Sequence, residues 1–380
     1  MSAPLNPASV TELVEAVRSA PRVLAIGAGT KPRLSAVDAV KLSTRQLRGI
    51  IEYDPGEFTF TALAGTPVRE IAAALAERGQ YLPFDPMLLD FPLTPALSPS
   101  EGERVSEGRV RGTTLGGTVA AGLSGPGRFR FGGVRDFILG VRFVDGAGRL
   151  LRMGGKVVKN AAGFDLPKFF VGSLGRFGVL VEMTFKVFPR PASTLTLKLP
   201  VKNAEVAALV LTEAANARWE ADALDYLPEA GSVFMRIAGP ATALEEIACE
   251  ILARWPGEEL LPEEAEKFRT QLREFSWTYS TGPLVKVPLT PAVLPAFCNA
   301  VCLLNGARAH VSAGGNVAFV SLASTADAAE LDASLRKLGL SGVTLRGDAP
   351  LWCGVRKRPQ IAIAVKQALD PQNRFPSLDD

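Results

Sequence analysis

Val23-Leu-Ala-Ile-Gly-Ala-Gly-Thr-Lys-Pro32 is the stretch on which the fold turns. Four apolar residues in succession read as a buried strand, and the loop they enter is small enough for backbone N–H groups to converge on an anion. The spacing invites a dinucleotide-binding reading, but Pro32 occupies the third glycine position of GxGxxG, and the RLSAVDAVKL that follows is a poor helix. A Rossmann fold is therefore disfavoured, while a nest for a diphosphate survives without it.

Two further clusters change the weight of the first. Gly112-Thr-Thr-Leu-Gly-Gly117 runs into Val119-Ala-Ala-Gly-Leu-Ser-Gly-Pro126, a density of small residues that core packing alone does not require. Val171-Gly-Ser-Leu-Gly-Arg-Phe-Gly-Val179 then delivers a glycine turn into a long strand. The order and spacing of the three imply a flat or anionic ligand lying along backbone.

Outward from these clusters, Ser9-Val-Thr-Glu12 forms a capping box ahead of Leu13, Val14 and Val17, which predicts a helix closed by Pro21. Residues 57–63 alternate as a strand, and Thr66-Pro67 starts a helix that ends at Gly79. Residues 137–144 and 179–188 are long β runs, with a helical stretch near Leu166 between them. Residues 93–111, LTPALSPSEGERVSEGRVR, have almost nothing to bury and read as a disordered insertion. Arg190-Pro191 closes this block. The expected division is a first domain at 1–191, an α+β cap at 192–350 with helices at 204–219 and 262–275, and a tail at 351–380 that carries a helix over 360–369.

Composition narrows the function. The chain has 380 residues, 47% hydrophobic and 21% charged, with 42 basic against 39 acidic side chains, and no basic run interleaved with aromatics. Nucleic acid is an unfavoured partner. The start lacks a signal-peptide pattern and no run approaches the roughly 18 apolar residues of a membrane span, so the expected location is cytoplasmic, with membrane association only through a partner. Four cysteines cannot make a disulfide scaffold, and Cys298 and Cys302, four apart on a predicted helix, are expected to be buried thiols. The single histidine, His310, excludes a multi-histidine metal site, and no metal is expected.

The three clusters in this order resemble the FAD-binding domain of the vanillyl-alcohol oxidase and p-cresol methylhydroxylase (PCMH) family over roughly residues 5–191, with Asp370-Pro-Gln-Asn-Arg-Phe375 similar to that family's C-terminal return. The implied fold is α+β, a two-subdomain PCMH-type FAD-binding domain with a separate α+β cap. The resemblance implies that Gly27, Ala28, Gly29, Thr30 and Lys31 wrap the FAD diphosphate. Thr114, Leu115, Gly116 and Gly117 would pack along diphosphate and flavin, Pro86, Ser124 and Gly125 would join the cofactor site, and Gly178 and Val179 would meet the adenine end. No histidine lies in either glycine loop, so the FAD is expected to be non-covalent.

Gly133-Val-Arg-Asp136, the stretch from Gly154 to Asp165 and Phe185-Lys-Val-Phe-Pro-Arg-Pro191 are more narrowly similar to the E-type subunits of bacterial glycolate oxidases. That likeness implies an FAD-dependent oxidoreductase subunit that turns glycolate into glyoxylate beside a second FAD-binding subunit and an iron–sulfur subunit. Two alternatives stay open: a stand-alone D-2-hydroxyacid dehydrogenase, and a non-catalytic scaffold or electron conduit. The sequence departs from D-lactate dehydrogenase-like relatives, which carry Gly-Ser-Glu-Gly, in having Gly172-Ser-Leu-Gly175. Oxidising a 2-hydroxy acid needs a base for the hydroxyl proton and a cation for the carboxylate. Relatives that work alone use cap histidines, often with a metal. Here His310 sits in a strand-like stretch where a structural role is expected, Arg128, Arg130, Arg135 and Lys159 are the candidate cations, and the catalytic residue is unassigned.

Overall fold

Ser9 starts the helix Val10–Ser19 by accepting from the Glu12 amide at 3.2 Å, and the Glu12 carboxylate returns to the Ala8 N–H at 2.9 Å. The reciprocal bond of the capping box thus falls one residue earlier than the pattern predicts. The computed structural model describes residues 4–88, 112–155, 165–356 and 360–380. The polar insertion at 93–111 and residues 156–164, Lys159 included, lie outside the described residues.

The first domain has two parts. In one, strand Val23–Ile26 pairs in parallel with Val40–Ser43, and Leu13 and Val17 of the first helix pack beneath them with Val179 and Val181. In the other, five strands pair antiparallel in the order Ile50–Asp54, Thr59–Leu63, Val179–Lys186, Ile138–Val144, Leu150–Gly154. Helices Val68–Ala76 and Leu115–Ala121 lie against that sheet through Val68, Ile71, Leu75, Leu115 and Val119. Phe60, Phe84, Phe137, Phe143 and Phe185 fill the space between, with Phe60 stacked on Phe185 at 5.7 Å. Each such ring contributes about 1.5–3 kcal/mol on leaving water. The β run expected over 179–188 breaks after Lys186, and Phe188–Pro189 pairs instead with Gln80–Tyr81.

From Ser193 the chain builds a nine-stranded antiparallel sheet. Helices Ala204–Asn216, Ala241–Arg254, Leu294–Cys302 and Asp327–Lys337 cover one face with an apolar core. The other face turns to the first domain, where Leu284, Val317, Phe319 and Leu345 meet Met87, Ala121 and Leu123. Helix Pro262–Glu274 stops one residue short of the expected end because Phe275 takes a left-handed conformation, φ 56°. The thiol expectation holds for Cys298, which is buried and pushed up to about 12, first by burial and then by Cys302. It is corrected for Cys302, which is exposed: the apolar face of its helix ends at Val301, and Leu303 beyond it is 85% exposed.

Helix Gln360–Leu369 brings the chain back to the first domain, where Leu369, Ala362 and Val365 join its core. Asp370 holds the turn that follows by accepting from the Arg374 and Phe375 amides at 2.8 and 2.9 Å. Arg374 accepts the Val23 N–H at 2.7 Å through its carbonyl, so the tail braces the strand that leads into the first glycine loop.

Candidate functional site

A cleft of about 770 Å³ opens where the two parts of the first domain meet. Gly27, Ala28, Gly29, Thr30 and Lys31 form one wall, and Thr114, Gly116, Gly117 and Gly178 another. The sequence clusters therefore converge in space.

The two glycine segments are built differently. Gly29 takes φ +76°, a conformation glycine adopts without strain, and among the described residues the amides of Ala28, Gly29 and Thr30 donate to no protein acceptor. Thr30 and Lys31 are buried, and the Lys31 ammonium donates to the Thr30 hydroxyl at 3.1 Å. In the second segment the N–H groups are already used: Leu115 donates to Thr66 O at 2.9 Å, Gly116 to Ala64 O at 2.8 Å and Gly117 to the Thr114 hydroxyl at 3.2 Å. A Cβ on Gly116 would lie 2.9 Å from Ala64 Cβ, and one on Gly27 would lie 2.2 Å from Thr114 Oγ1. These glycines let the segments approach each other and the sheet.

The remaining expected cofactor residues stand elsewhere. Leu115 and Val179 are fully buried in the packing beneath the cleft. Ser124 accepts from the Val134 amide at 3.0 Å, whereas the Gly125 amide reaches Phe84 O and Asp85 O at 2.9 and 3.0 Å and so braces the Asp85 turn. Pro86 lines a separate cleft at the seam with the cap, beside Asp85, Arg236 and Arg269. Wall residues not named as cofactor contacts include Thr44 and Ala64, outside the three clusters, and Leu24, Ala120, Ser173 and Leu174, within them. Leu174 holds φ 51°, its amide tied to Ala120 O at 2.9 Å, a backbone that branched side chains rarely adopt.

The cap approaches this region through charged groups. Asp85 accepts from Arg236 at 2.8 Å, Arg269 at 3.3 Å and the Gly127 amide at 3.1 Å, while Arg236 also reaches Asp222 at 2.6 Å. Burial pushes the Asp85 carboxyl up, but the two guanidiniums outweigh it and hold it below the usual range. Lys286, on strand Leu284–Pro288, donates to Gly122 O at 2.6 Å at the end of the TLGG helix. Burial, with Arg128 adding repulsion, lowers Lys286 to about 8. Arg128 is likewise lowered by burial, and among the described residues neither cation has a carboxylate in ion-pair range. Of the other expected cations, Arg130 pairs with Glu220 and Arg135 is exposed.

His310 does not reach the cleft. It is 2% exposed, its Nε2 lies 2.8 Å from Asp225 Oδ1, and its ring is edged by Trp277 at 5.9 Å and stacked by Phe319 at 6.0 Å. Among the described residues no group of three or more His, Cys, Asp or Glu could hold a metal, and no helix is long and apolar enough to cross a membrane.

Residues 2–91 match the sequence profile of an FAD binding domain, which indicates FAD as the cofactor. The chain is 39% identical to glycolate oxidase subunit GlcE of Escherichia coli (strain K12) over 239 residues, 61% of this chain and 58% of that protein. It is 26% identical to glycolate oxidase subunit GlcD of Bacillus subtilis (strain 168) over 49% of this chain and 35% of that one. A D-2-hydroxyglutarate dehydrogenase of Xanthomonas citri pv. viticola is 29% identical over 51% of this chain and 39% of its own. The matches thus span less than two thirds of each relative. Among solved structures, an alkyldihydroxyacetonephosphate synthase superposes on 98% of this chain and 77% of its own with a TM-score of 0.68 at 16% identity. The fold is that of an FAD-binding domain carrying a large antiparallel cap sheet.

Proposed function

We propose that this chain binds FAD non-covalently in the cleft between its two glycine segments and serves as the FAD-binding subunit of a glycolate-oxidising complex. The observation that carries the reading is the set of three amides at Ala28, Gly29 and Thr30 without protein acceptors, in a wall of the 770 Å³ cleft. Such a concave array of N–H groups suits a diphosphate, and Lys31 adds positive charge beside it. The opposite wall at Gly116, Gly117 and Gly178 is backbone, and a flat ring system would lie against it. No histidine lines the cleft, in keeping with non-covalent attachment.

When bound, the flavin supplies the acceptor for the hydride leaving the alcohol carbon. The chain's own residues hold the substrate. Lys286 and Arg128, close enough for the guanidinium's charge to help lower the lysine, would grip the glycolate carboxylate, whose charge relieves their repulsion. The Asp85–Arg236 pair would keep the cap closed over the first domain and limit water there. The hydroxyl proton would pass to a partner subunit, because His310 is sealed behind Trp277 and Phe319. The partners are a second FAD-binding subunit and an iron–sulfur subunit, a reading that rests on the names of the GlcE and GlcD relatives and on the sequence likeness.

The test is the visible spectrum of the purified chain before and after denaturation, followed by anaerobic glycolate with and without the partners. Flavin bands that leave with denaturation, and bleach only in the complex, are expected. The sealing of His310 also favours a second reading, a subunit whose flavin only conducts electrons. In that case Lys286→Met leaves the glycolate KM of the complex unchanged.

A further inference from the structure

A hydrogen-bonded bridge through Leu174 joins the two glycine segments of the cleft. The Leu174 amide donates at 2.9 Å to Ala120 O, near the end of helix Leu115–Ala121, which the second segment opens. The Leu174 carbonyl accepts from Arg176 Nη1, which also donates at 3.1 Å to Leu34 O, in the turn Pro32–Ser35 that follows the first segment. Leu34, Ala120 and Leu174 all line the cleft.

The bridge is held from behind. Arg176 is 2% exposed, its amide donates to Ser173 O at 2.9 Å and its Nη2 donates to Asp380 O. Its carbonyl accepts from the Lys366 ammonium of the returning helix at 2.8 Å. A guanidinium presents its donors in a rigid fork, so it holds carbonyls of different segments at a set spacing, which an ammonium on a flexible stem does not. Leu174 needs that support. Its φ of 51° is a left-handed backbone, unfavourable for a leucine and kept only where the surroundings impose it.

We propose that Arg176 is a positioning residue for the cofactor: through Leu174 it fixes the spacing of the two glycine segments, and with it the affinity of the cleft for FAD. The proposal rests on the FAD reading above and adds a residue that does not itself line the cleft.

Fluorescence titration of the flavin-free chain with FAD tests it as a double-mutant cycle. Arg176→Gln and Arg176→Lys should each raise the FAD Kd about tenfold or more, the size of a lost hydrogen bond to a charged group. Glycine takes a left-handed backbone without strain, so in a Leu174→Gly background the same substitutions should raise it only about threefold. A residue that served stability alone would cost the same in both backgrounds. Equal losses therefore overturn the proposal, as does an unchanged Kd in the single variants. If neither Arg176 variant folds, two changes at Leu174 decide. Leu174→Ala and Leu174→Gly, with Arg176 in place, should bind FAD within about threefold of each other, because the bridge imposes one backbone on both. An alanine variant weaker by about tenfold would show that the side chain's own preference sets this wall, and overturns the proposal. Ala28→Asp, which places a carboxylate in the first glycine segment, separates the two readings. If it binds FAD as wild type does, the cofactor reading fails; if it loses FAD while the Arg176 variants keep full affinity, this proposal alone fails.

Discussion

Among the described residues, the first glycine segment leaves the amides of Ala28, Gly29 and Thr30 unmet, whereas the second has already given its amides to Thr66, Ala64 and Thr114. Both look alike as sequence, but their glycines answer different needs. One segment exposes donors to a ligand. The other removes side chains so that a helix can press onto Ala64, at the end of strand Thr59–Leu63. A substitution in the second should therefore be felt by the protein with or without a cofactor, and one in the first only when the cofactor is present.

The largest effect is expected at Gly116→Val. Its Cβ would meet Ala64 at 2.9 Å and the Ala64 carbonyl at 3.0 Å, so the helix must lift from the strand. Overpacking of this kind costs about 1–3 kcal/mol or more. The flavin-free variant should melt at least about 5 °C below wild type, on a scale of roughly 2–4 °C per kcal/mol for a domain of this size. An unchanged melting temperature with lost flavin would put the ligand, and not Ala64, against this glycine.

A second contrast separates the cleft from the seam. Lys286→Met should raise the glycolate KM of the reconstituted complex about tenfold or more, since a hydrogen bond to a charged group is worth about 1.5–3 kcal/mol. Its effect on stability has the opposite sign and a pH signature. Folding lowers Lys286 from 10.5 to about 8, so between those values the unfolded chain binds more protons and wild-type stability rises with pH. The variant lacks this penalty and should melt about 2–4 °C higher at pH 7. The gain should shrink as pH climbs from 8 toward 10.5, and a gain equal at pH 7 and pH 9.5 would show that burial of the ammonium is not its source. The smallest effect on turnover is expected at His310→Gln, within about threefold of wild type on complexes matched for flavin. A hundredfold loss would match the removal of a general base, worth about 10²–10⁴, and return the chemistry to this chain.

Legibility from the sequence followed the same division. The strand Val23–Ile26, the capped first helix and the returning helix Gln360–Leu369 carry local signals, namely caps, breakers and apolar period, and these signals locate them to within a residue or two, whereas the helix Leu115–Ala121 gave no such signal and was read only as a cluster of small residues. The glycine clusters named nine of the residues that line the cleft. Leu174 was missed because its left-handed backbone is imposed by the Ala120 carbonyl from a distant helix, and nothing local in a leucine announces it. Lys286 was missed because one lysine in an alternating strand looks solvated. Only the antiparallel register that sets it on the first-domain side of the cap sheet, beside Phe319, makes it a buried cation. Gly125 and Pro86 were grouped with the cofactor by their neighbours in sequence, yet they sit around the Asp85 turn at the seam, and Ser124 is tied to the Val134 amide. Cys302 was misplaced by a single helical turn, since the face it shares with Cys298 is no longer covered at the helix end.

Flavin retention by Ala28→Asp decides whether the first glycine segment holds the diphosphate. Ala28 lines the cleft without a positive φ, so a longer side chain fits its backbone, and the carboxylate would stand where the unmet amides await an anion. The ratio of flavin to protein after size-exclusion chromatography is to be read beside the melting temperature of the flavin-free forms. Wild type should hold stoichiometric flavin and the variant almost none, with flavin-free melting temperatures within about 2 °C of each other, as for surface substitutions of about 0.5 kcal/mol or less. Full flavin occupancy in Ala28→Asp would contradict this and move the diphosphate away from the first glycine segment.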